Sequence, residues 1–166
     1  MAESFDPAVL ADDPVARWRD LHAQISAVVE GEPSRTARYA TAASMLRQAM
    51  GPRFFWVGFY VVDPERSTEL VVGPYQGTLG CLRIPFGRGV CGTAAAERRT
   101  IIVPDVHAFP GHIACDAASR SEIVVPVFAP DGVLAAVLDV DSTEPDAFDE
   151  VDRIGLEMIC ADLLGH

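Results

Sequence analysis

The N-terminal third of the chain has the apolar periodicity of two amphipathic helices. Asp13 and Pro14 predict an N-cap and a first helical turn, and apolar residues then recur at steps of three and four until Gly31. A second predicted helix begins at Ser34 and ends at the Gly-Pro pair 51–52, because glycine and proline together stop a helix. Small residues are frequent in this second helix, which indicates close packing against a neighbour.

The middle of the chain alternates short apolar runs with turn-forming residues, which is the pattern of a β-sheet. Residues 54–62 are aromatic and β-branched without a polar interruption, as is typical of a central strand covered on both faces. The Asp-Gly pair 131–132 predicts a hairpin between the last two strands. Further strands are predicted over residues 69–72, 81–84, 100–103, 122–128 and 133–141.

Two more helices complete the predicted elements, a short one over residues 90–97 and a C-terminal one over residues 146–164. Residues 104–121 show no apolar period, and so long a loop in a compact domain is usually functional or disordered. This order predicts an α+β fold in which a central, mainly antiparallel six-stranded sheet is flanked by helices. Because no linker or repeat is visible, we expect a single domain over residues 15–164 after an N-terminal extension of residues 1–14.

The composition limits the possible partners and chemistry. The chain has 166 residues, of which 49% are hydrophobic and 22% charged, as expected for a globular domain with its own core. Its 13 basic and 24 acidic residues give a net charge of −11, which disfavours binding to nucleic acids and anionic membrane surfaces. Every basic residue is arginine, so a catalytic lysine is excluded. No apolar run approaches a membrane span, and the first thirteen residues lack the apolar core of a secretory signal, so we expect a cytoplasmic protein.

The four cysteines are the first candidates for chemistry. In a reducing compartment they are not expected to form structural disulfides, which leaves core packing, metal binding or redox chemistry. Cys160 continues the apolar stripe of the last predicted helix and is expected in the core, whereas Cys81, Cys91 and Cys115 lie in the irregular middle third. Redox chemistry needs a thiolate and a second thiol within reach. A helix N-terminus and nearby Arg88 would favour the thiolate form of Cys91.

Metal binding is an alternative use of the same segment. His107, His112 and Cys115 have the spacing H-x4-H-x2-C, and Cys81 or Cys91 could complete a tetrahedron. Structural zinc sites generally use closely spaced cysteine pairs, which this chain lacks. A zinc-stabilised binding domain is therefore kept as an alternative, while our own prediction includes no metal.

Acidic and aromatic residues could complete a site around these thiols. Asp139 and Asp141 share one face of the last predicted strand, and Glu122 begins the strand before it. If the three carboxyls converge, desolvation and mutual repulsion would raise at least one pKa and provide a proton donor near neutral pH. Trp56 and Tyr60 also share a strand face, where they could pack in the core or form the wall of a pocket for a methyl group or a thioether.

Five segments of the chain combine these residues in a longer pattern. They are WVGFY (56–60), GPYQG (73–77), CLRIPFGRGVCGTAAA (81–96), DVHAFPGHIACDAASRSEIVVP (105–126) and LDVDS (138–142). Together they resemble the free methionine-(R)-sulfoxide reductases, which are stand-alone GAF-domain enzymes. The resemblance spans residues 15–164, and the third and fourth segments are long enough to be specific.

The resemblance implies a GAF fold and the reduction of free L-methionine (R)-sulfoxide to methionine. Cys115 is the expected nucleophile and becomes a sulfenic acid. Cys91 or Cys81 then forms an intramolecular disulfide with it, which thioredoxin reduces. No organic cofactor or metal is implied, and the expected assembly is a homodimer.

The resemblance also implies roles for the acidic and aromatic residues. One of Glu122, Asp139 and Asp141 would protonate the departing oxygen, and the three would bind the substrate ammonium group. Trp56 and Tyr60 would contact the substrate around its S-methyl group. The main alternative is a GAF sensor module that binds a small ligand without catalysis.

Overall fold

The computed structural model describes residues 5–113 and 116–165. Within those residues the chain forms four α-helices and six strands. The helices are α1 Pro14–Val29, α2 Arg35–Met50, α3 Gly89–Glu97 and α4 Glu150–Ile159, which the π-helical turn Cys160–Leu164 continues. The strands are β1 Trp56–Val62, β2 Glu69–Gln76, β3 Arg83–Pro85, β4 Ile101–Val103, β5 Ser121–Phe128 and β6 Leu134–Ser142. None of the described helices has the length and apolar character needed to cross a bilayer.

The six strands form one sheet in the order β3-β2-β1-β6-β5-β4, and every neighbouring pair is antiparallel. The predicted α+β fold with a six-stranded antiparallel sheet is therefore confirmed. The predicted hairpin at residues 131–132 is also present, since it joins β5 to β6. Strand β6 lies at the centre, between β1 and β5, so the longest ladders of the sheet meet on it.

The sheet separates two apolar clusters. Helices α1, α2 and α4 cover one face, where Leu138 and Val140 of β6 join the larger cluster. Helix α3 covers the other face, where Val137 joins a smaller cluster. Because successive side chains of a strand point to opposite faces, Asp139 and Asp141 lie on the same face as Val137. The fold thus places two carboxyls of the central strand on the side of α3.

The first two helices begin where the sequence predicts. The side chain of Asp13 accepts a hydrogen bond from the amide of Ala16, and that of Ser34 accepts one from Ala37. Both contacts satisfy amides of a first turn that have no partner inside the helix.

Several predicted boundaries were wrong. Strand β1 begins at Trp56 instead of residue 54, and β3 spans Arg83–Pro85 instead of residues 81–84. Strand β2 continues to Gln76 instead of ending at residue 72, because its pairing with β1 extends through the Gly-Pro pair 73–74. The last helix begins at Glu150 instead of residue 146, because Asp149 and Asp152 form a capping box at that point.

Candidate functional site

A pocket on the α3 side of the sheet collects most of the residues singled out from the sequence. Strands β1, β5 and β6 provide its floor, and the first turn of α3 completes it together with loop residues 79–80, 112–113, 116 and 119. Six of the predicted site residues line it: Trp56, Tyr60, Cys91, Glu122, Asp139 and Asp141.

An aromatic stack forms one wall of this pocket. The ring of Trp56 lies 5.7 Å from that of Tyr60 and 5.2 Å from that of Tyr75, centroid to centroid. Gly58 permits this arrangement, because a Cβ there would lie 2.2 Å from the Cβ of Tyr75 and 2.8 Å from the Trp56 ring. The indole N–H of Trp56 donates to the carbonyl of Thr78 at 2.9 Å. Sequence reasoning missed Tyr75, although it lies in the segment GPYQG.

Three carboxyls face the pocket from the neighbouring strands β5 and β6. The pairing of β5 with β6 sets Glu122 directly opposite Asp141, and Asp139 lies two residues further back along β6. Glu122 and Asp139 are each only 5% exposed. Burial raises the pKa of Asp139 to about 7. Burial, followed by the negative charge of Asp139, also raises the pKa values of Glu122 and Asp141 well above their usual range. The pocket therefore holds carboxyls that keep protons near neutral pH.

Asp139 has unused hydrogen-bonding capacity. Among the described residues its Oδ1 is buried without a hydrogen-bond partner. A buried polar atom left unpaired is costly, by about 1–3 kcal/mol, so a ligand that offers a donor here would gain from pairing with it. The same pocket is lined by an apolar ring surface from Trp56. The site can thus receive a molecule with a cationic donor group and an apolar end.

Cys91 lies in the first turn of α3 and faces the carboxyls. Its thiol contacts Glu122 Oε1 at a sulfur–oxygen distance of 3.9 Å, and the side chain is 4% exposed. Burial, then the charges of Asp139 and Glu122, raise the pKa of the Cys91 thiol well above its usual value. The expectation that the helix N-terminus and Arg88 would favour a thiolate at Cys91 was therefore wrong, because desolvation and two acidic neighbours outweigh them.

The other cysteines occupy different environments. Cys81 is partly exposed in the connection between β2 and β3 and is disulfide-bonded. Its backbone amide hydrogen-bonds to the hydroxyl of Tyr60. Cys160 is a free, buried thiol in the C-terminal turn, which confirms the expectation that it belongs to the core. Cys115, the predicted nucleophile, lies outside the described residues.

Among the described residues, neither His107 nor His112 belongs to a group of three potential metal ligands, and Cys115 of the alternative zinc site lies outside those residues. His112 Nε2 lies 3.8 Å from Glu122 Oε2, and burial lowers the pKa of its imidazole, so this contact is not an ion pair at neutral pH. The described potential metal ligands that approach one another within 4.8 Å are instead Cys91, Glu122 and Asp139. Their raised pKa values mean that a cation would have to displace protons to bind there.

The loop that follows His112 adds a polar contact that sequence reasoning did not find. The Thr78 hydroxyl donates to Asp116 Oδ2 at 2.6 Å, which lowers the pKa of the Asp116 carboxyl. This contact joins the segment after β2 to the segment before β5 at the pocket. It could not be predicted because neither segment has a regular apolar period.

Comparisons with known proteins agree with this geometry. The chain matches the GAF domain family over residues 32–163. It is 42% identical to the free methionine-R-sulfoxide reductase of Escherichia coli over 146 residues, which are 88% of this chain and 86% of that protein. It is 41% identical to the free methionine-R-sulfoxide reductase of Saccharomyces cerevisiae over 133 residues, which are 78% of this chain and 74% of that protein.

A solved structure is similar over nearly the whole chain. It is the free methionine-R-sulfoxide reductase of Neisseria meningitidis in complex with its substrate, which is 48% identical and superposes with a TM-score of 0.86. The match covers 96% of this chain and 90% of that chain. This chain therefore belongs to the GAF domain family and, within it, to the family of the free methionine-R-sulfoxide reductases.

Proposed function

We propose that this protein reduces free L-methionine (R)-sulfoxide to L-methionine. The observation that carries the proposal is the convergence of three protonatable carboxyls, a stacked aromatic wall and the thiol of Cys91 in one pocket. The relatives support it, because two of them and a structure with bound substrate are free methionine-R-sulfoxide reductases.

The proposed binding mode follows from the chemistry of the lining. The ammonium group of the substrate donates to Asp139, whose Oδ1 has no described partner, and to Glu122 and Asp141. The S-methyl group packs against Trp56 and Tyr60, since sulfur and methyl groups pack well against aromatic faces. A methionine sulfoxide within a protein has no free ammonium group. The three carboxyls of the pocket would then stay unpaired, so the site would reject such a substrate.

In the proposed first step, the Cys115 thiolate attacks the sulfoxide sulfur. A protonated carboxyl, Glu122 or one of the aspartates, donates a proton to the sulfoxide oxygen, which is transferred to the Cys115 sulfur as the S–O bond of the substrate breaks. Methionine leaves, and Cys115 is oxidised to a sulfenic acid. The raised pKa values of the carboxyls support this role, because a proton donor must hold its proton at working pH.

In the proposed second step, Cys81 attacks the Cys115 sulfenic acid, forms a disulfide and releases water. Two observations favour Cys81 over Cys91 here. Cys81 is disulfide-bonded, whereas Cys91 is a free thiol whose raised pKa makes it a poor nucleophile. Cys91 then acts as an uncharged neighbour of the carboxyls.

An external dithiol completes the proposed cycle, and thioredoxin is our candidate. It supplies the two electrons that reduce the disulfide, so no organic cofactor or bound metal is needed. We further propose that the protein works in the cytoplasm, where dithiol reductants keep thiols reduced. We also propose a homodimer, which sedimentation of the purified protein would test.

The deciding experiment compares three substrates with dithiothreitol as reductant: free (R)-methionine sulfoxide, free (S)-methionine sulfoxide and a peptide that contains methionine sulfoxide. We expect turnover of the free (R) isomer alone. Binding without turnover of any of the three would instead favour a GAF sensor module, and turnover of the peptide would contradict the proposed role of the carboxyls.

A further inference from the structure

The two most exposed large apolar side chains of the described residues flank Cys81. Leu79 is 82% exposed and Leu82 is 76% exposed. The backbone of Leu82 is fixed, because its carbonyl accepts a hydrogen bond from the Val72 amide of β2 at 3.0 Å. The leucine is therefore displayed on a hydrogen-bonded backbone beside the disulfide.

The position of this pair separates it from the other exposed apolar residues. Val133 lies in the β5–β6 hairpin and Ile154 on α4, each without a cysteine beside it. Singly exposed apolar side chains are common on protein surfaces. Leu79 and Leu82 differ because they lie beside a partly exposed disulfide. A protein that reduces this disulfide must contact the surface around it, and that surface includes the two leucines.

The carboxylates near Cys81 have hydrogen-bond or ion-pair partners within the chain. Arg83 Nη1 lies 2.5 Å from Asp63 Oδ2 and 2.9 Å from Glu69 Oε2. Asp116 accepts a hydrogen bond from Thr78. Although the chain has a net charge of −11, an approaching protein meets paired carboxylates and apolar surface here.

We propose that Leu79 and Leu82 form the docking surface for the protein dithiol that reduces the Cys81 disulfide, an inference that rests on the proposed function. A thiolate of the partner attacks Cys81 Sγ and forms a mixed disulfide, and the cysteine previously bonded to Cys81 leaves as a thiolate. The partner's second thiol then loses its proton and attacks the partner's own sulfur, which releases Cys81 as a thiolate. The partner dithiol thereby gives two electrons to the enzyme disulfide and is itself oxidised to a disulfide.

The test uses Leu82→Gln and two reductants. Leu82 does not line the pocket, whereas Leu79 does, so this variant leaves the substrate site unchanged. We expect KM for reduced thioredoxin to rise about tenfold, as for loss of an apolar contact worth about 1.4 kcal/mol. Turnover with dithiothreitol and KM for the sulfoxide should not change. Ile154→Gln is the matched control, because Ile154 is 55% exposed on α4, which covers the opposite face of the sheet.

Three results would overturn the docking surface. One is an unchanged KM for thioredoxin in Leu82→Gln, and another is an equal loss of turnover with both reductants, since a small dithiol needs no docking surface. The third is a change from dimer to monomer in sedimentation, which would assign the leucines to contact between two copies. A wild-type protein that fails to turn over with dithiothreitol would instead contradict the proposed function itself.

Discussion

At the scale of single residues, Asp139 makes stability depend on pH. Burial raises its pKa from 3.8 to about 7. The folded chain therefore binds more protons than the unfolded chain between these values, and the free energy of unfolding falls as pH rises through that window. Above the folded pKa the group contributes no further change.

Asp139→Asn should remove this dependence, because an amide stays neutral. The free energy of unfolding of the variant minus that of the wild type should therefore increase by about 3 kcal/mol from pH 5 to pH 8. Each pH unit within the window contributes about 1.4 kcal/mol. Urea denaturation at both pH values measures the difference. Parallel pH profiles for the two proteins would show that Asp139 does not carry the proton.

The cysteine variants test the proposed redox roles. Cys115→Ser should release no methionine, because the nucleophile is absent. Cys81→Ser should release one equivalent and then fail to recycle with thioredoxin, whereas Cys91→Ser should continue to turn over. Chromatography of methionine released per enzyme, first without and then with reductant, gives the answer. If Cys81→Ser continues to turn over and Cys91→Ser stops after one equivalent, Cys91 is the cysteine that forms the disulfide with Cys115.

Some properties of these residues could be predicted from the sequence, and others could not. That Asp139 and Asp141 share a face follows from the alternation of a strand, and the structure confirms it. The state of the Cys91 thiol could not be predicted in the same way. Its position near a helix start is visible in the sequence, but its burial against Glu122 and Asp139 depends on how three distant segments meet.

At the scale of elements, Asp152 anchors helix α4. Its carboxylate accepts hydrogen bonds from Arg53 at 2.7 and 2.8 Å and from the Trp18 indole at 3.3 Å, and it is 3% exposed. Trp18 lies on α1, and Arg53 precedes β1. One buried carboxylate therefore joins three separate parts of the chain.

Asp152→Ala should lower the free energy of unfolding by about 3 kcal/mol, because it leaves a guanidinium and an indole N–H without their partner. The activity per folded molecule should not change, since Asp152 lies on the face away from the pocket. The control is Glu150→Ala, which removes an exposed pair with Arg153 and should have little effect. Denaturant titration with an activity assay checks both variants, and equal destabilisation would contradict the anchoring role.

The start of a helix can be predicted from the sequence where a single N-cap residue marks its first turn. Asp13 and Ser34 cap α1 and α2 as expected. The start of α4 was placed too early because the apolar stripe begins at residue 148, before the helix does. The capping box of Asp149 and Asp152 is visible in the sequence and could have corrected the prediction.

At the scale of the whole molecule, the net charge of −11 opposes folding. Raising the salt concentration from about 0.01 M to about 0.3 M shortens the range of this repulsion. At pH 8 we expect stability to rise by about 1 kcal/mol, or roughly 3 °C in Tm. The gain should be smaller at pH 5, where the net negative charge is lower. Calorimetry in sodium chloride measures it, and a lower Tm in salt would mean that surface ion pairs outweigh the repulsion.

The topology of the whole sheet is the part that apolar patterning predicts least. The pattern indicates six strands and the final hairpin, but not that β1 pairs with β6, whose closest residues are more than seventy positions apart. This pairing depends on long-range packing of the helices against one face, which local periodicity does not encode.

The alternation of side chains along β6 also limits how this protein can evolve. Insertion or deletion of one residue inside the strand would move Asp139 and Asp141 to the face that packs against α1, α2 and α4. It would also move Leu138 and Val140 to the face that lines the pocket. A single change would therefore disrupt both the larger apolar cluster and the pocket. We therefore expect natural variants to differ in this strand by exchange of amino acids only, and to vary in length at the loops.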